Sequence, residues 1–212
     1  MFEYLAMRLF HVIDNARVSG IRSVVREIVY AGRIAVPVEM DLKSLKSSWA
    51  WPKGEELTCI EIERNALDHH DYDYPYRNRK LKAQRNLGKG LLGYGLLRGR
   101  EVVADLWYTP PVISDGSPEH PDVQWLGILP RPNHSYAFDM FLAPAMRGKN
   151  IATCFQGSFL LHLRDHGVDW AYGYYWADNI AALWMHRMLK WKELGRVRAS
   201  RFFGLKTYRR IA

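Results

Sequence analysis

The sequence has few cysteines, no long uninterrupted hydrophobic run and no segment typical of export. Only two of its 212 residues are cysteines, Cys59 and Cys154, which is too few for a fold held by disulfides. Charged residues interrupt the apolar stretches, so the sequence predicts no transmembrane helix. Near the start, Glu3, Arg8 and Asp14 interrupt the apolar region that a signal peptide requires. We therefore expect a soluble, cytoplasmic protein whose thiols are reduced.

The composition is that of a folded chain with a basic excess. Hydrophobic residues make up 48% and charged residues 25%, which excludes wholesale disorder. Lys and Arg outnumber Asp and Glu by 30 to 22, and the excess lies in two segments, 77–100 and 187–210. Such segments suit an anionic partner, either the phosphates of a cofactor, an acidic carrier protein or nucleic acid. They are equally compatible with ordinary solvated faces, and composition alone does not separate these interpretations.

Hydrophobic periodicity predicts a mixed α/β chain. Apolar residues recur at helical spacing over 2–15 and 21–31, and these helices should pack on the core or on a second copy of the chain, as in a homodimer. The predicted strands are 34–40, 57–63, 91–97, 101–108, 135–142, 170–176 and a strand or hairpin at 196–208. The other predicted helices are 79–87, 150–167 and 180–194. This order predicts an α+β domain with a largely antiparallel central sheet flanked by helices.

The segment from Met140 to Ala152 has the pattern of a strand, a basic turn with glycine and an apolar helix. Gly148 permits close backbone approach, and Asn150 tolerates the positive φ that such turns need. The N–H groups and the dipole at a helix N-terminus favour an anion. The candidate binding residues are Met140, Phe141, Leu142, Arg147, Gly148, Lys149, Asn150, Ile151 and Ala152. Taken alone, the pattern indicates either a phosphate-binding turn or an ordinary strand–helix connection.

A second motif begins where the next predicted strand ends. Asp178 or Asn179 can cap the following helix, and Ala182 leaves room beside its first turn. Together the two motifs resemble those of the GNAT superfamily of CoA-dependent acyltransferases. That family carries Arg/Gln-x-x-Gly-x-Gly/Ala after its fourth strand, matched here by Arg147 through Ala152. It also carries Asn-x-x-Ala-x-x-Leu-Tyr before its final helix, matched by Asn179, Ala182, Met185 and His186.

The resemblance implies a fold, a donor and a site. It implies one acyltransferase domain over 1–212, with a helical extension plus a strand at 1–50 and a GNAT-like core at 51–212. Acetyl-CoA, the acyl donor, would lie in a split between the family's fourth and fifth strands, here 135–142 and 170–176. The backbone of Met140, Phe141 and Leu142 would align the pantetheine, and the turn at 147–152 would hold the pyrophosphate. Asn179, with Ala182 beside it, would hydrogen-bond the pantetheine arm.

Two side chains are candidates for proton transfer when an amine attacks the thioester directly. His186 stands where the family often has a tyrosine that serves as general acid, and the alternative is a helix residue that does not contact the thiol. Asp139 is the candidate base, because one face of its strand would point at the acceptor, and a purely structural Asp139 is the equal alternative. Glu63 and Asp105 are the other candidate bases. The sequence departs from the family at Asn150, where glycine is usual, and at His186 itself. The departure at Asn150 leaves one backbone N–H less freely placed.

The acceptor and the length of the acyl chain stay open. A small-molecule amine or amino sugar is the expected acceptor, and the proline-rich loop at 109–134 and the segment 68–80, with Tyr72, Tyr74 and Tyr76, are expected to line its pocket. One alternative takes a longer acyl chain from an acyl-carrier protein, whose acidity would suit the basic segments. Another is a non-catalytic module of the same fold that binds an acidic partner. No nucleic-acid-binding signature accompanies the basic segments, so nucleic acid is not expected.

The sequence predicts neither a metal site nor a covalent acyl-enzyme. His162 and His166 have the i, i+4 spacing of zinc ligands on a helix, but no third ligand accompanies them in the sequence. The run His69-His70-Asp71-Tyr72-Asp73 reads more naturally as a polar loop. No nucleophile elbow is present, and neither cysteine has a neighbouring histidine, so no nucleophile is visible.

Overall fold

Nine described strands form one sheet. The structure is a computed structural model that describes residues 30–45, 49, 51–52, 54, 56–113, 119–202 and 205–211. The strands are β1 (Tyr30–Asp41), β2 (Leu57–Ile62), β3 (Leu92–Arg98), β4 (Glu101–Tyr108), β5 (His134–Leu142), β6 (Trp170–Trp176), β7 (Lys192–Glu193), β8 (Arg196–Phe202) and β9 (Leu205–Ile211). The helices are α1 (Arg64–Asp68), α2 (Arg77–Leu87), α3 (Pro121–Leu126), α4 (Ile151–Asp165) and α5 (Ile180–Met188), with 3-10 turns at Leu42–Ser44 and Pro144–Met146. Among the described helices, none is long and apolar enough to cross a membrane.

The strands follow one another across the sheet in the order β2, β3, β4, β5, β6, β1, β8, β9, and β7 pairs with β1. In the described chain β5 and β6 pair in parallel and the other strand pairs are antiparallel, which confirms the predicted sheet. Strand β1 lies inside the sheet, where Ala35 is opposite Trp176 on one side and Val197 on the other. The strand predicted within residues 1–50 therefore lies in the interior of the sheet.

Helices cover both faces of the sheet because its strands are apolar on both sides. α4 and α5 pack on one face, where Phe155 and Phe159 of α4 are fully buried against Tyr94 of β3. Burial of each such ring stabilises the fold by about 1.5–3 kcal/mol. α1 and α2 cover part of the other face, where Trp107 is fully buried. There Gly93 lies under that indole, and a Cβ at this position would come within 2.9 Å of it.

Most predicted elements lie within two residues of the observed ones, and the exceptions have local causes. The helix predicted over 180–194 ends at Met188, because Lys190 takes φ 63° and the chain turns into β7. Helices α1 and α3 were not predicted, because five or six residues are too few to show a helical period. Residues 30 and 31, predicted to end a helix, lie in β1. The rest of the helices predicted at 2–15 and 21–31 falls outside the described residues.

Candidate active site

Strands β5 and β6 lie side by side only over their first residues. Their last described pair is Tyr136 opposite Tyr172, although β5 continues to Leu142 and β6 to Trp176. The remaining halves have no described pairing with each other, so a gap opens toward the C-terminal ends of both strands. This gap is the split that the resemblance implied. Along the gap, one backbone edge of β5 has no described strand paired with it.

A bulge in β5 accompanies the gap. The pairing of β4 with β5 shifts between Asp105, opposite Phe141, and Trp107, opposite Phe138. The extra residue lies at Asp139, whose φ of 55° is left-handed. Because a bulge bends its strand and increases the local twist, it turns the second half of β5 away from β6.

A buried ion network holds the bulge to α2. Arg79 pairs with Asp105 through Nη2 and through Nε, which lies 3.1 Å from Oδ2. Its Nη1 lies 3.2 Å from the Asp139 carboxylate, and its Nη2 donates to the Asp139 carbonyl oxygen at 3.2 Å. Lys82, one turn further along α2, lies 2.7 Å from the same carboxylate. Since Arg79 is 6% exposed and Asp105 1%, removing one partner would leave a buried charge uncompensated.

The network makes Asp139 a poor general base. Burial raises the pKa of its carboxyl, but the charges of Arg79 and Lys82 outweigh burial and lower the pKa to about 2. A carboxylate this acidic holds a transferred proton weakly at neutral pH. This low pKa argues against the predicted role of Asp139 as general base. The carboxylate of Asp139 pairs with Arg79 and Lys82 and so holds the bulge to α2.

The position of His186 also differs from the one expected of a general acid. The residue is 7% exposed, its Nδ1 lies 2.7 Å from the carbonyl oxygen of Ala182, and its ring stacks on Tyr175 at 4.9 Å between centroids. Burial lowers the pKa of His186 to about 4, so the ring is neutral at pH 7. Its one N–H then donates to the Ala182 carbonyl, which leaves no proton for a departing thiolate. This burial and this hydrogen bond argue against the predicted role of His186 as general acid.

The basic turn has the geometry expected of an anion-binding turn. Gly148 takes φ 84° and Asn150 φ 60°, and no described atom lies within 4 Å of where a Gly148 Cβ would stand. Asn150 occupies the N-cap position of α4 without a side-chain cap hydrogen bond, so the first N–H groups of the helix donate none to its side chain. Arg147, exposed like the rest of the turn up to residue 150, is tied to the end of β5 because its Nε donates to the Leu142 carbonyl at 3.2 Å.

The second motif lies on the other side of the gap. Asn179 caps α5, and its Oδ1 accepts from the Ala182 N–H at 3.2 Å, which leaves its amide nitrogen available to donate. Ala152 at the start of α4 and Ala182 of α5 pack against one core cluster, which also includes residues 140–142. Because β5 and β6 are parallel, both motifs lie at the same end of the sheet. The structure thus brings together the residues predicted for the donor.

Aromatic residues flank the gap on the face opposite α4 and α5. Trp125 lies in the loop at 109–134 that was expected to line the acceptor pocket, but the individual rings were not singled out from the sequence. Trp125 of α3 stacks on Tyr208 at 4.6 Å between centroids and meets Tyr174 edge-on at 5.4 Å. Arg33 lies 4.4 Å above the Trp176 ring. α3 begins with a cap in which the His120 ring accepts from the backbone N–H of Asp122, and Pro121 at its first position is the signal in the sequence that could have indicated it.

Two of the three tyrosines expected to line an acceptor pocket lie elsewhere in the structure. Tyr72 is 5% exposed and its hydroxyl donates to the Glu63 carbonyl at 3.0 Å, and the Tyr74 hydroxyl is buried in the same region. Both belong to the core beneath α1 and α2, so their predicted role is corrected. Tyr76 remains close to the gap, with its ring edge-on to Phe141 of β5 at 5.2 Å.

The two basic segments do not form one surface. The first contains α2 and β3, near one edge of the sheet, and the second ends in β8 and β9 at the other edge. Arg79 and Lys82 of the first segment are engaged in the ion network. One extended acidic partner would therefore have to span the sheet to contact both segments.

Comparison with solved structures identifies the fold. A GCN5-related N-acetyltransferase from Sphaerobacter thermophilus aligns over 92% of this chain and 57% of its own, with TM-score 0.53 and 11% identity. A glucosamine N-acetyltransferase region of a fungal GH3 β-N-acetylglucosaminidase aligns over 80% of this chain and 21% of its own, with TM-score 0.54 and 16% identity. A tandem GNAT protein from the clavulanic acid biosynthesis pathway aligns over 84% and 56%, with TM-score 0.52 and 11% identity.

The chain is similar to these three proteins in fold. The chain spans a little over half the length of the first and third proteins and about a fifth of the second. No protein-family model matches the sequence, and no curated protein matches it significantly. The chain therefore has a GNAT-like fold, which confirms the resemblance stated from its two motifs.

Proposed function

We propose that this protein is an acyl-CoA-dependent N-acyltransferase that transfers an acetyl group from acetyl-CoA to a small amine or amino sugar. The gap between β5 and β6 carries this proposal, because it combines an open backbone edge with an anion-binding turn at its mouth. A likeness of fold alone would not support a particular reaction. Acetyl-CoA supplies the activated thioester, and the chain's residues position it.

The residues present fit a CoA donor. The backbone of β5 from Met140 to Leu142 can hydrogen-bond pantetheine amides, much as a sheet edge accepts an added strand. At the mouth of the gap, the N–H groups at the start of α4 and the Arg147 guanidinium provide donors and charge for the pyrophosphate. The free amide nitrogen of Asn179 faces the same end of the sheet.

The acceptor approaches, in this proposal, from the face that carries Trp125 and Tyr174. Aromatic rings suit the apolar face of a sugar, and the similar fungal region is named as a glucosamine N-acetyltransferase. Since neither Asp139 nor His186 suits proton transfer at neutral pH, the site acts by holding amine and thioester in attacking geometry. The attacking nitrogen releases its proton to water. The thiol of the departing CoA has a pKa of about 8.5, so it can leave as the thiolate without a protein acid.

Calorimetric titration of the full chain with acetyl-CoA tests the donor site. Arg147→Glu should weaken binding at least ten-fold, which corresponds to about 1.4 kcal/mol, because it replaces attraction of the pyrophosphate by repulsion. Lys206→Glu is the matched control, since it makes the same change of charge on the exposed face of β9. An unchanged dissociation constant in the Arg147 variant would remove the turn from the site.

A thiol-release assay with a panel of amines and amino sugars tests the reaction. Release of CoA with an acetylated amine detected by mass spectrometry is the expected result. Binding of acetyl-CoA without transfer to any amine would favour a non-catalytic module of the same fold. Transfer only from an acylated carrier protein would favour the longer-chain alternative, and no donor binding at all would refute the proposal.

A further inference from the structure

Three potential metal ligands meet at the edge of the sheet, on the face covered by α4. They are the carboxylate of Glu61 on β2, the imidazole of His162 on α4 and that of His166, the C-cap residue of α4. Glu61 Oε1 lies 3.8 Å from His162 Nε2 and 3.7 Å from His166 Nε2, and the three ligand atoms all lie within 4.8 Å of one another. The two histidines lacked a third ligand in the sequence. The fold supplies it from an element a hundred residues away.

The register of strand and helix explains why the three groups meet. Two residues along a strand advance about 6.6 Å and four along a helix about 6 Å, so side chains two apart on β2 can face side chains four apart on α4. Cys59 of β2 interacts with Ser158 of α4, and one step further along both elements Glu61 faces His162. His166 follows one turn later on the same side of the helix. The contact is therefore built into the packing of α4 on the edge strand.

The atoms and distances suit zinc. Two imidazole nitrogens and a carboxylate oxygen are common zinc ligands, and with bonds of about 2.0–2.1 Å the edge of a tetrahedral site is about 3.3 Å. The observed distances to Glu61 exceed this by only a few tenths of an ångström. Glu61 and His166 are 53% and 59% exposed, so both side chains have room to close.

Second contacts orient the histidines. Nδ1 of His166 lies 2.8 Å from the His162 carbonyl oxygen, so this nitrogen carries the proton and Nε2 presents its lone pair to Glu61. Such a hydrogen bond from the second ring nitrogen is the usual support of a metal-bound histidine. Nε2 of His162 lies 3.1 Å from the Tyr108 hydroxyl, which is the contact that an ion would displace.

We propose that Glu61, His162 and His166 form a zinc site, with the fourth position left to water. Glu61 and Tyr108 also line a cleft of about 270 Å³ between β2, β3 and the end of β4, from which that water can enter. The site lies at the C-terminal end of α4, and a helix of 15 residues is about 22 Å long, so the basic turn is a helix length away. The ion ties the edge strand β2 to α4 and takes no part in acyl transfer.

Metal binding by the full chain tests the proposal without any assay of activity. The protein, free of a histidine tag and stripped with a chelator, is titrated with Zn²⁺ in a calorimeter and with Co²⁺ in a spectrophotometer. The wild type should bind one equivalent of Zn²⁺, show the strong visible absorption of tetrahedral Co²⁺, and melt at a higher temperature with Zn²⁺ than without.

Glu61→Gln and His166→Ala should each weaken Zn²⁺ binding at least ten-fold and abolish the thermal shift. Their exposure makes both variants tolerable to the fold, and circular dichroism checks this. Glu63→Gln and His69→Ala are the matched controls, because they make the same two substitutions at exposed residues outside the cluster. Equal binding by the cluster variants and the wild type, or no binding by the wild type, would overturn the site. Acetyl-CoA affinity should be the same with and without Zn²⁺.

Discussion

Replacing Asp139 by Asn should reveal how much the ion network at the bulge stabilises the fold. The pKa of this carboxyl falls from an ordinary 3.8 to about 2, because the charges of Arg79 and Lys82 outweigh the effect of burial. At about 1.4 kcal/mol for each unit of pKa, the ionised carboxylate stabilises the folded state by about 2 kcal/mol near neutral pH. Since the folded pKa is the lower one, this stabilisation is complete above about pH 5. It declines as the pH falls through 3.8 toward 2, to about half near pH 3.

Urea unfolding followed by tryptophan fluorescence at pH 6 and pH 3 measures the effect. The wild type should exceed Asp139→Asn by about 2 kcal/mol at pH 6 and by about 1 kcal/mol at pH 3. Asparagine tolerates the left-handed φ of 55° at this position, so the backbone of the bulge is not strained by the change.

The control for this experiment is Asp165→Asn, which removes a surface ion pair. Asp165 is 64% exposed and lies 3.1 Å from Arg164, so its loss should cost less than about 1 kcal/mol. Equal stability of the wild type and Asp139→Asn at pH 6 would refute the argument. So would a difference that does not shrink toward pH 3, because that would point to a steric cause.

Two further outcomes follow from the packing. The imidazole of His186 should titrate near pH 4 in NMR spectra, because burial opposes its charge, and titration near 6.5 would show that the ring reaches water. Gly93→Ala should destabilise the protein by about 1–3 kcal/mol, since its Cβ would lie 2.9 Å from Ile62 and from the Trp107 ring. An unchanged urea midpoint for this variant would mean that the neighbouring strands yield without cost.

The sequence predicted those helices and strands whose own residues show a clear apolar pattern. The strand at 170–176 was predicted with its exact bounds, and β4 likewise, because both are apolar runs bounded by turn residues. What the pattern could not give was the neighbour of each strand. Periodicity predicted a strand at 34–40, but nothing in those residues indicates that it lies between β6 and β8.

The same distinction applies to the site. Each donor motif is continuous in sequence, so the basic turn and the cap of α5 could be recognised from the order of residues alone. The ion network takes Arg79, Asp105 and Asp139 from three elements, and only the fold shows that they meet. The environment of His186 is likewise a property of packing, because burial, and not residue type, lowers its pKa. Glu61 was missed as a partner of the two histidines for the same reason.

The interior place of β1 has a consequence for how the chain folds. Both of its main partners, β6 and β8, lie in the last quarter of the chain, so β1 is synthesised long before anything can pair with it. Pairing at such long sequence separation requires the closure of large loops and slows folding. Until residues 170–202 have been made, both edges of a strand that contains Val36 and Val38 stay open to other chains. During synthesis the nascent chain is therefore most prone to aggregate before its last quarter is complete.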